Sequence, residues 1–339
     1  MQLIFQLSKQ NIELNKAEIT AIFGSKSKLI DNLLILDSKE KYFDRLAYTK
    51  AVYQFLFACK KSELKSKILH FNWNKHYKKN FCVRVPGSND AFEREIAGLV
   101  WHKIKNPKVQ LRNSKTSFYF FFTKKLVICG LLIKELTERF EDRKAHLMPG
   151  LFHAAMHPRL ARCMVNLTGI TQTRPSLWDK KVRTKVRGFR PAHFFIKKGT
   201  IVDPFCGAGG ILIEAGLIGL NVIGCDIDAE MLKKAENNLK HFKINYKLQK
   251  ADATKLNKKI NYLVADFPYF ISTKGRDLEK LYSDFLINLK KILGKRAVIC
   301  FPSFVNHQKL IKKAKLKSRQ EFVYYLHKSL SKTVCVIEP

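Results

Sequence analysis

The sequence is poor in acidic residues: 28 Asp and Glu stand against 63 Lys and Arg in 339 residues, a formal net charge of +35. Such a chain is a poor match for a cationic partner. It suits a polyanion, because each phosphate neutralised releases counterions. A Lys-rich proteome would give the same excess, so charge by itself leaves both readings open. Paired cysteines are also missing. Cys59, Cys82, Cys129, Cys163, Cys206, Cys225, Cys300 and Cys335 occur singly, with no CxxC. No metal site is therefore expected, and the thiols read as small buried hydrophobes of a reducing compartment. Long apolar runs are absent as well. Phe118–Phe122 and Leu126–Ile133 are split by Lys124 and Lys125, far short of the ~20 residues that cross a bilayer. Gln2–Leu7 reads as a strand and not as a secretory signal. These absences predict a soluble, cytoplasmic protein with no membrane partner.

What is present fits a multidomain chain. Its length exceeds the ~100–200 residues of one average domain, and 46% hydrophobic content is enough to fill cores. Residues 1–58 read as a small α+β unit, with a strand at Leu3–Leu7 and a helix near Leu14–Phe23 stopped by Gly24. Residues 59–147 read as a second unit. It has a strand at Phe81–Val85, a helix carrying Phe92, Ile96, Leu99, Val100 and Lys103, and apolar strands at Ser117–Phe122 and Leu126–Leu132. From 148 to 339 strands alternate with helices, which predicts an α/β domain with an open, mainly parallel sheet covered on both faces. Ligands bind such sheets at the carboxyl ends of the strands.

The chemical motifs fall at those ends. Asp203-Pro-Phe-Cys-Gly-Ala-Gly-Gly210 follows a short strand at Ile201–Asp203. Gly207, Gly209 and Gly210 permit positive φ and close backbone approach, and the following helix offers free N–H groups. The GK[ST] ending of a phosphate loop is missing, and G-A-G-G-I-L does not meet the dinucleotide pattern. The turn suits the methionine end of S-adenosylmethionine, with Asp203 near the ammonium group. Asp226 closes the next strand, where a carboxylate can accept ribose hydroxyls; Asp228 is placed to cap the next helix. Asp252, in A-D-A-T, is placed to meet an adenine amino group. Singly, each Asp reads as a cap or turn residue; in series they read as one site. Asp266-Phe267-Pro268-Tyr269 ends a further strand. An aryl amine is a weak nucleophile, because its lone pair is delocalised into the ring. Asp266 and the Phe267 carbonyl can accept its hydrogens, and Tyr269 can stack on the base. No covalent nucleophile is required, so Cys206 reads as packing. The expected chemistry is S-adenosylmethionine-dependent methylation of an exocyclic base amine.

On these motifs the chain resembles the archaeal-type THUMP-domain tRNA guanine-N2 methyltransferases. The resemblance is carried by KNPKVQLR (105–112), HPRLARCMVNL (157–167), IVDPFCGAGGILIEAGLIG (201–219), GCDID (224–228), ADAT (251–254), DFPYFIST (266–273) and LHKSLSKTV (326–334). It implies a ferredoxin-like domain over 1–58, a THUMP tRNA-binding domain over 59–147 and a Rossmann-like, seven-stranded methyltransferase domain over 148–339. It also implies a monomer that methylates the N2 amine of a tRNA guanosine, at position 10, once or twice. Carried over by position, it puts Asp203, Phe205, Gly207, Gly209 and Gly210 at the methionine end of the cofactor. Asp226 and Ile227 fall at the ribose and adenine, Asp252 and Ala253 at the adenine, and Asp266 and Tyr269 at the guanine. The chain departs from the family pattern in three places. Phe267 stands where the family has proline, and Phe270 where it has glycine. A basic insertion occupies about 170–194. That insertion holds Arg174, Lys181, Arg183, Lys185 and Arg187 among Trp178, Phe189 and Phe194, a mixture suited to gripping RNA. A solvated surface loop would look the same.

Overall fold

Two seven-stranded sheets account for the strand patterns of the sequence. The computed structural model describes residues 1–24, 26–151, 156–171, 199–268, 278–327 and 330–339. The chain divides into two compact units: residues 1–12, 23–43 and 48–137, and residues 13–22, 44–47 and 138–339.

The first unit is built on β1 (Gln2–Leu7), β2 (Ser27–Ile30), β3 (Leu33–Asp37), β4 (Thr49–Cys59), β5 (Phe81–Arg84), β6 (Thr116–Phe122) and β7 (Val127–Glu135). Their order is β2-β3-β1-β4-β7-β6-β5, antiparallel except for the β5–β6 pair. The expected boundary at 58/59 falls inside β4, which pairs with β1 on one side and β7 on the other. One hydrogen-bonded sheet therefore crosses it. The aromatic strand at 117–122 packs inward, with Phe118 and Phe120 fully buried and Trp73 edge-on to Phe118 at 4.8 Å. Burying each such ring contributes about 1.5–3 kcal/mol. The helix read from Phe92, Ile96 and Val100 is Asp90–Trp101, started by the Asn89 side chain accepting from the Phe92 N–H at 2.9 Å.

The second unit holds β8 (Thr200–Asp203), β9 (Asn221–Asp226), β10 (Tyr246–Lys250), β11 (Ile260–Asp266), β12 (Leu293–Pro302), β13 (Lys317–His327) and β14 (Leu330–Glu338). The order is β10-β9-β8-β11-β12-β14-β13, parallel until β14, which runs antiparallel to both neighbours. This is the expected Rossmann-like sheet. Ala297 to Phe301 of β12 are fully buried, as a strand covered on both faces requires. The chain runs outward from β8 through β9 to β10, then returns to β11 on the other side of β8. That reversal opens a crevice at the carboxyl ends of β8 and β11.

Residues 13–22 and 44–47 were expected in the first domain, yet they pack in the second unit. There Glu18 Oε1 accepts from the Ala47 N–H at 2.8 Å and from Asn166 Nδ2 at 2.6 Å. Arg45 donates from Nε to Asn166 Oδ1 at 2.8 Å and from Nη1 to the Ile170 carbonyl at 2.7 Å. Asn166 lies on Pro158–Leu167, every residue of which is buried except Arg159. A buried polar network of this kind is stabilising only when its members are paired.

Candidate active site

The glycine turn joins β8 to the helix Gly210–Leu217. Gly207 and Gly209 both have positive φ, 49° and 86°, and a Cβ on Gly209 would stand 3.3 Å from that of Ala235. Side chains are therefore disfavoured at Gly209 both by backbone conformation and by space. The Gly209 N–H donates to the Cys206 carbonyl at 2.8 Å, and the Cys206 N–H to the Cys225 carbonyl at 2.9 Å. Asn238 clamps the turn from outside, donating to the Ala208 carbonyl at 2.9 Å while its Oδ1 accepts from the Gly150 N–H at 2.7 Å. Cys206 is buried with its thiol pushed up by burial, which suits packing and not nucleophilic attack.

Three carboxyl groups gather at the strand ends. Asp203 is almost fully buried, and its Oδ1 accepts from the Phe205 N–H at 3.1 Å. Burial pushes its acid well above the ordinary range, and the charges of Asp226 and Asp266 push it further. Asp226 ties the turn to β9: its Oδ2 accepts from the Gly207 N–H at 2.8 Å and its Oδ1 from the Asp228 N–H at 2.9 Å. Burial raises it too, against these two hydrogen bonds. Asp203 and Asp226, like charges in one crevice, fit a cationic ligand, and the sulfonium and ammonium groups of S-adenosylmethionine meet that requirement. Ile227, beside Asp226, is 44% exposed.

Other predicted residues make local contacts. Asp252 Oδ1 accepts from the Thr254 N–H at 2.9 Å and from its hydroxyl at 2.7 Å, capping a short 3-10 turn, with Ala253 buried against the core. Asp228 caps the helix Ala229–His241 through the Glu230 N–H at 2.8 Å. Tyr269, Arg174, Lys181, Arg183, Lys185 and Arg187 lie outside the described residues.

The Asp266-Phe267-Pro268 segment is held by aromatic packing. The Phe267 ring is fully buried, stacked on Tyr282 at 4.5 Å and 4°, and edge-on to Phe205, Phe285 and Phe301 at 5.4, 5.5 and 4.9 Å. Its N–H donates to the Cys300 carbonyl at 3.1 Å, extending the β11–β12 ladder. Aromatic packing thus takes over the stiffening that a first proline would supply. The Tyr282 hydroxyl donates to the Pro268 carbonyl.

Sequence reasoning missed two groups. Lys332 Nζ sits 2.8 Å from each oxygen of Asp266. Behind the glycine turn, Glu214 accepts from Arg143 at 2.7 and 3.3 Å and lies 2.7 Å from Arg162. Glu214 and Lys332 both fall within stretches that carry the family resemblance, but their partners are too distant in sequence for any spacing rule. His307, Glu321 and Cys335 also bring their ligand atoms within 4.8 Å of one another, although Glu321 already accepts from His307, Gln308 and Ser318. Among the described residues no helix is long and apolar enough to cross a membrane.

The family profile described as "RMKL-like, methyltransferase domain" matches residues 196–332. The tRNA (guanine(10)-N2)-dimethyltransferase of Methanothermobacter thermautotrophicus is 28% identical, covering 100% of this chain and 99% of its own. A probable tRNA (guanine(10)-N2)-dimethyltransferase of Methanothermococcus thermolithotrophicus is 34% identical over 42% of this chain and 90% of its own. Among solved structures, TrmN from Thermus thermophilus shares the fold with a TM-score of 0.51 at 18% identity, covering 100% of this chain and 99% of that one. The methyltransferase-domain match, with its glycine turn and its carboxyl cluster at the strand ends, and the full-length likeness agree: this chain belongs to the family of the tRNA guanine-N2 methyltransferases.

Proposed function

We propose that this protein transfers a methyl group from S-adenosylmethionine to the exocyclic N2 amine of guanosine 10 in tRNA, giving N2-methylguanosine and, in a second turnover, N2,N2-dimethylguanosine. The observation that carries the reading is the Asp266 carboxylate at the end of β11, in the same acidic crevice as Asp203 and the glycine turn. S-adenosylmethionine supplies a methyl carbon already activated by its sulfonium. The chain's own residues then have to bind, orient and accept a proton. Asp203 and Asp226 offer negative charge to the cofactor, and Ile227 a flat apolar contact. Asp266 accepts a hydrogen of the guanine amine and, with the Phe267 carbonyl, localises the nitrogen lone pair. As the new N–C bond forms, the C–S electron pair leaves with sulfur. The surplus amine proton passes to Asp266. Tyr269 is assigned to stacking on the base.

The first unit is read as the tRNA-gripping half, acting as part of a cytoplasmic monomer. Supporting this, an open cavity of about 570 Å³ there is lined by Lys67, His70, Lys75 and His76 together with Phe55 and Phe71, a basic and aromatic lining suited to single-stranded RNA. The basic stretch 170–194 is assigned a further contact with tRNA. The test is methylation of a tRNA transcript with labelled cofactor, followed by mapping of the nucleoside. Label on N2 of guanosine 10, lost when that base is adenosine, is the expected result. Label on adenine or cytosine, or binding without label, would overturn the reading. Asp266→Ala is expected to abolish methylation while leaving cofactor and tRNA binding intact.

A further inference from the structure

The ion pair between Asp266 and Lys332 is unusual in where it faces. The Asp266 side chain is 16% exposed and the Lys332 side chain 2%. The aspartate thus keeps a little exposure, whereas the lysine has almost none. β11 and β14 are not neighbours, because β12 lies between them. Asp266 is in register with Cys300 of β12, and Lys332 with Pro302 two residues on. The lysine therefore reaches over a strand to meet the carboxylate, 2.8 Å from each oxygen. A sheet gains little from such a pair. Burying two charges costs about as much as their attraction returns, and apolar side chains of the same size often do as well. Its position against the one carboxylate assigned to the amine calls for another account.

We propose that Lys332 is a positioning residue for methyl transfer, holding the plane and the charge of the Asp266 carboxylate so that its outward lone pairs face the incoming amine. The proposal rests on the reading that Asp266 receives the guanine amine. A single ammonium equidistant from both oxygens occupies the two lone pairs that face it and stops rotation of the carboxylate. The two outer lone pairs are left for an N–H of the base. Lys332 gives up no proton in this scheme: the amine proton goes to Asp266 and later to solvent.

Charge follows the same geometry. Among the described residues, the groups that face Asp266 are Lys332 from β14, the Cys300 thiol from β12, Asp203 from β8 and Tyr282 from Leu278–Ile292. Burial raises the Asp266 acid, and Lys332 is the largest influence pulling it back down. Cys300 assists by a hydrogen bond, while Asp203 is a like charge. Removing the ammonium leaves a desolvated carboxyl next to another acid, so it protonates at higher pH and points less well.

The experiment uses the full chain with a tRNA transcript: single-turnover methylation across pH, with cofactor affinity measured separately, for Lys332→Met, Lys332→Arg and Asp266→Asn. Lys332→Met is expected to slow methyl transfer by about 100-fold, the scale of a misplaced reacting group. Its acid limb should move to higher pH, with cofactor affinity and the KM for tRNA unchanged. Lys332→Arg should recover part of the rate and the wild-type limb. Near-normal rate and limb in Lys332→Met, or an arginine variant no better than the methionine one, overturns the proposal. Should Lys332→Met fail to fold, Lys332→Arg decides alone: a lowered rate with an unmoved limb supports positioning, and an unchanged rate overturns it. Asp266→Asn separates the two levels. Retained turnover there refutes the role of Asp266 itself, whereas an inactive Asp266→Asn beside a normal Lys332→Met refutes only the role of Lys332.

Discussion

Glu214 offers a severe test of how the glycine turn is supported. Its carboxylate, 1% exposed, faces two guanidinium groups that are themselves 6% and 2% exposed, those of Arg143 and Arg162. It lies on the helix that begins at Gly210 and lines a small cavity of about 20 Å³ with Ala208, Gly210 and Arg143. In Glu214→Ala both arginines lose their main counter-charge and the cavity widens. Breaking a buried pair by removing one partner costs about 3–5 kcal/mol. Glu138, 2.9 Å from Arg143 and 3.8 Å from Arg162, remains to compensate in part, which places the expectation near the lower end, about 3 kcal/mol. For a unit of this size each kcal/mol lowers Tm by about 2–4 °C, so a drop of roughly 6–12 °C is expected in a thermal melt. Cofactor affinity should fall with it, because the helix carries the turn. Glu214→Gln keeps the shape and one acceptor oxygen and should fall between wild type and Glu214→Ala. A Tm within about 2 °C of wild type for Glu214→Ala, with unchanged cofactor binding, would falsify the argument that this pairing holds the turn.

Restoring the family's proline by Phe267→Pro is expected to harm this chain: it removes a ring packed against four aromatics and the N–H that bonds Cys300. A loss of about 3 kcal/mol or more should appear in denaturant melts; a variant as stable as wild type contradicts the packing account. Cofactor affinity should depend on pH. Burial raises Asp203 and Asp226 above the ordinary carboxylate range, so lowering the pH through that raised range protonates them before a free carboxylate would be. Binding of the cationic cofactor should weaken as the pH falls and should release protons when it occurs. Calorimetry in buffers of different ionisation heat reads this, and pH-independent affinity with no proton release would rule it out. Replacing Arg183, Lys185 and Arg187 with Gln should weaken tRNA binding across sequences and lower the salt slope by about one for each phosphate no longer neutralised; an unchanged slope would remove this stretch from the RNA interface.

Much of the second unit is legible in the sequence because its signals are local. Positive φ at Gly207 and Gly209 belongs to single residues, capping by Asp228 reaches two residues on, and helical and strand periods repeat within a dozen positions. Asp203, Asp226 and Asp266 could each be placed at the end of an apolar run, and the parallel order then brings those ends together. Asp252 also serves as a local cap, its Oδ1 engaged by Thr254.

What only the tertiary structure decided are the partnerships across long separations. Lys332 meets Asp266 from 66 residues away, Glu214 meets Arg143 from 71, and Asn166 meets Glu18 from 148. Residues 13–22 join the second unit although they were read with the first, and β4 carries one sheet through the boundary read at 58/59. Phe267, read from the sequence as a departure from the family pattern, is a core ring. The physical reason is common to all of these. A side chain's own chemistry dictates which partner would satisfy it, but the order in which strands pair determines whether that partner is within reach. The sequence by itself therefore determined the reaction type, the glycine turn and the strand-end acids. The fold decided which charges stand behind them.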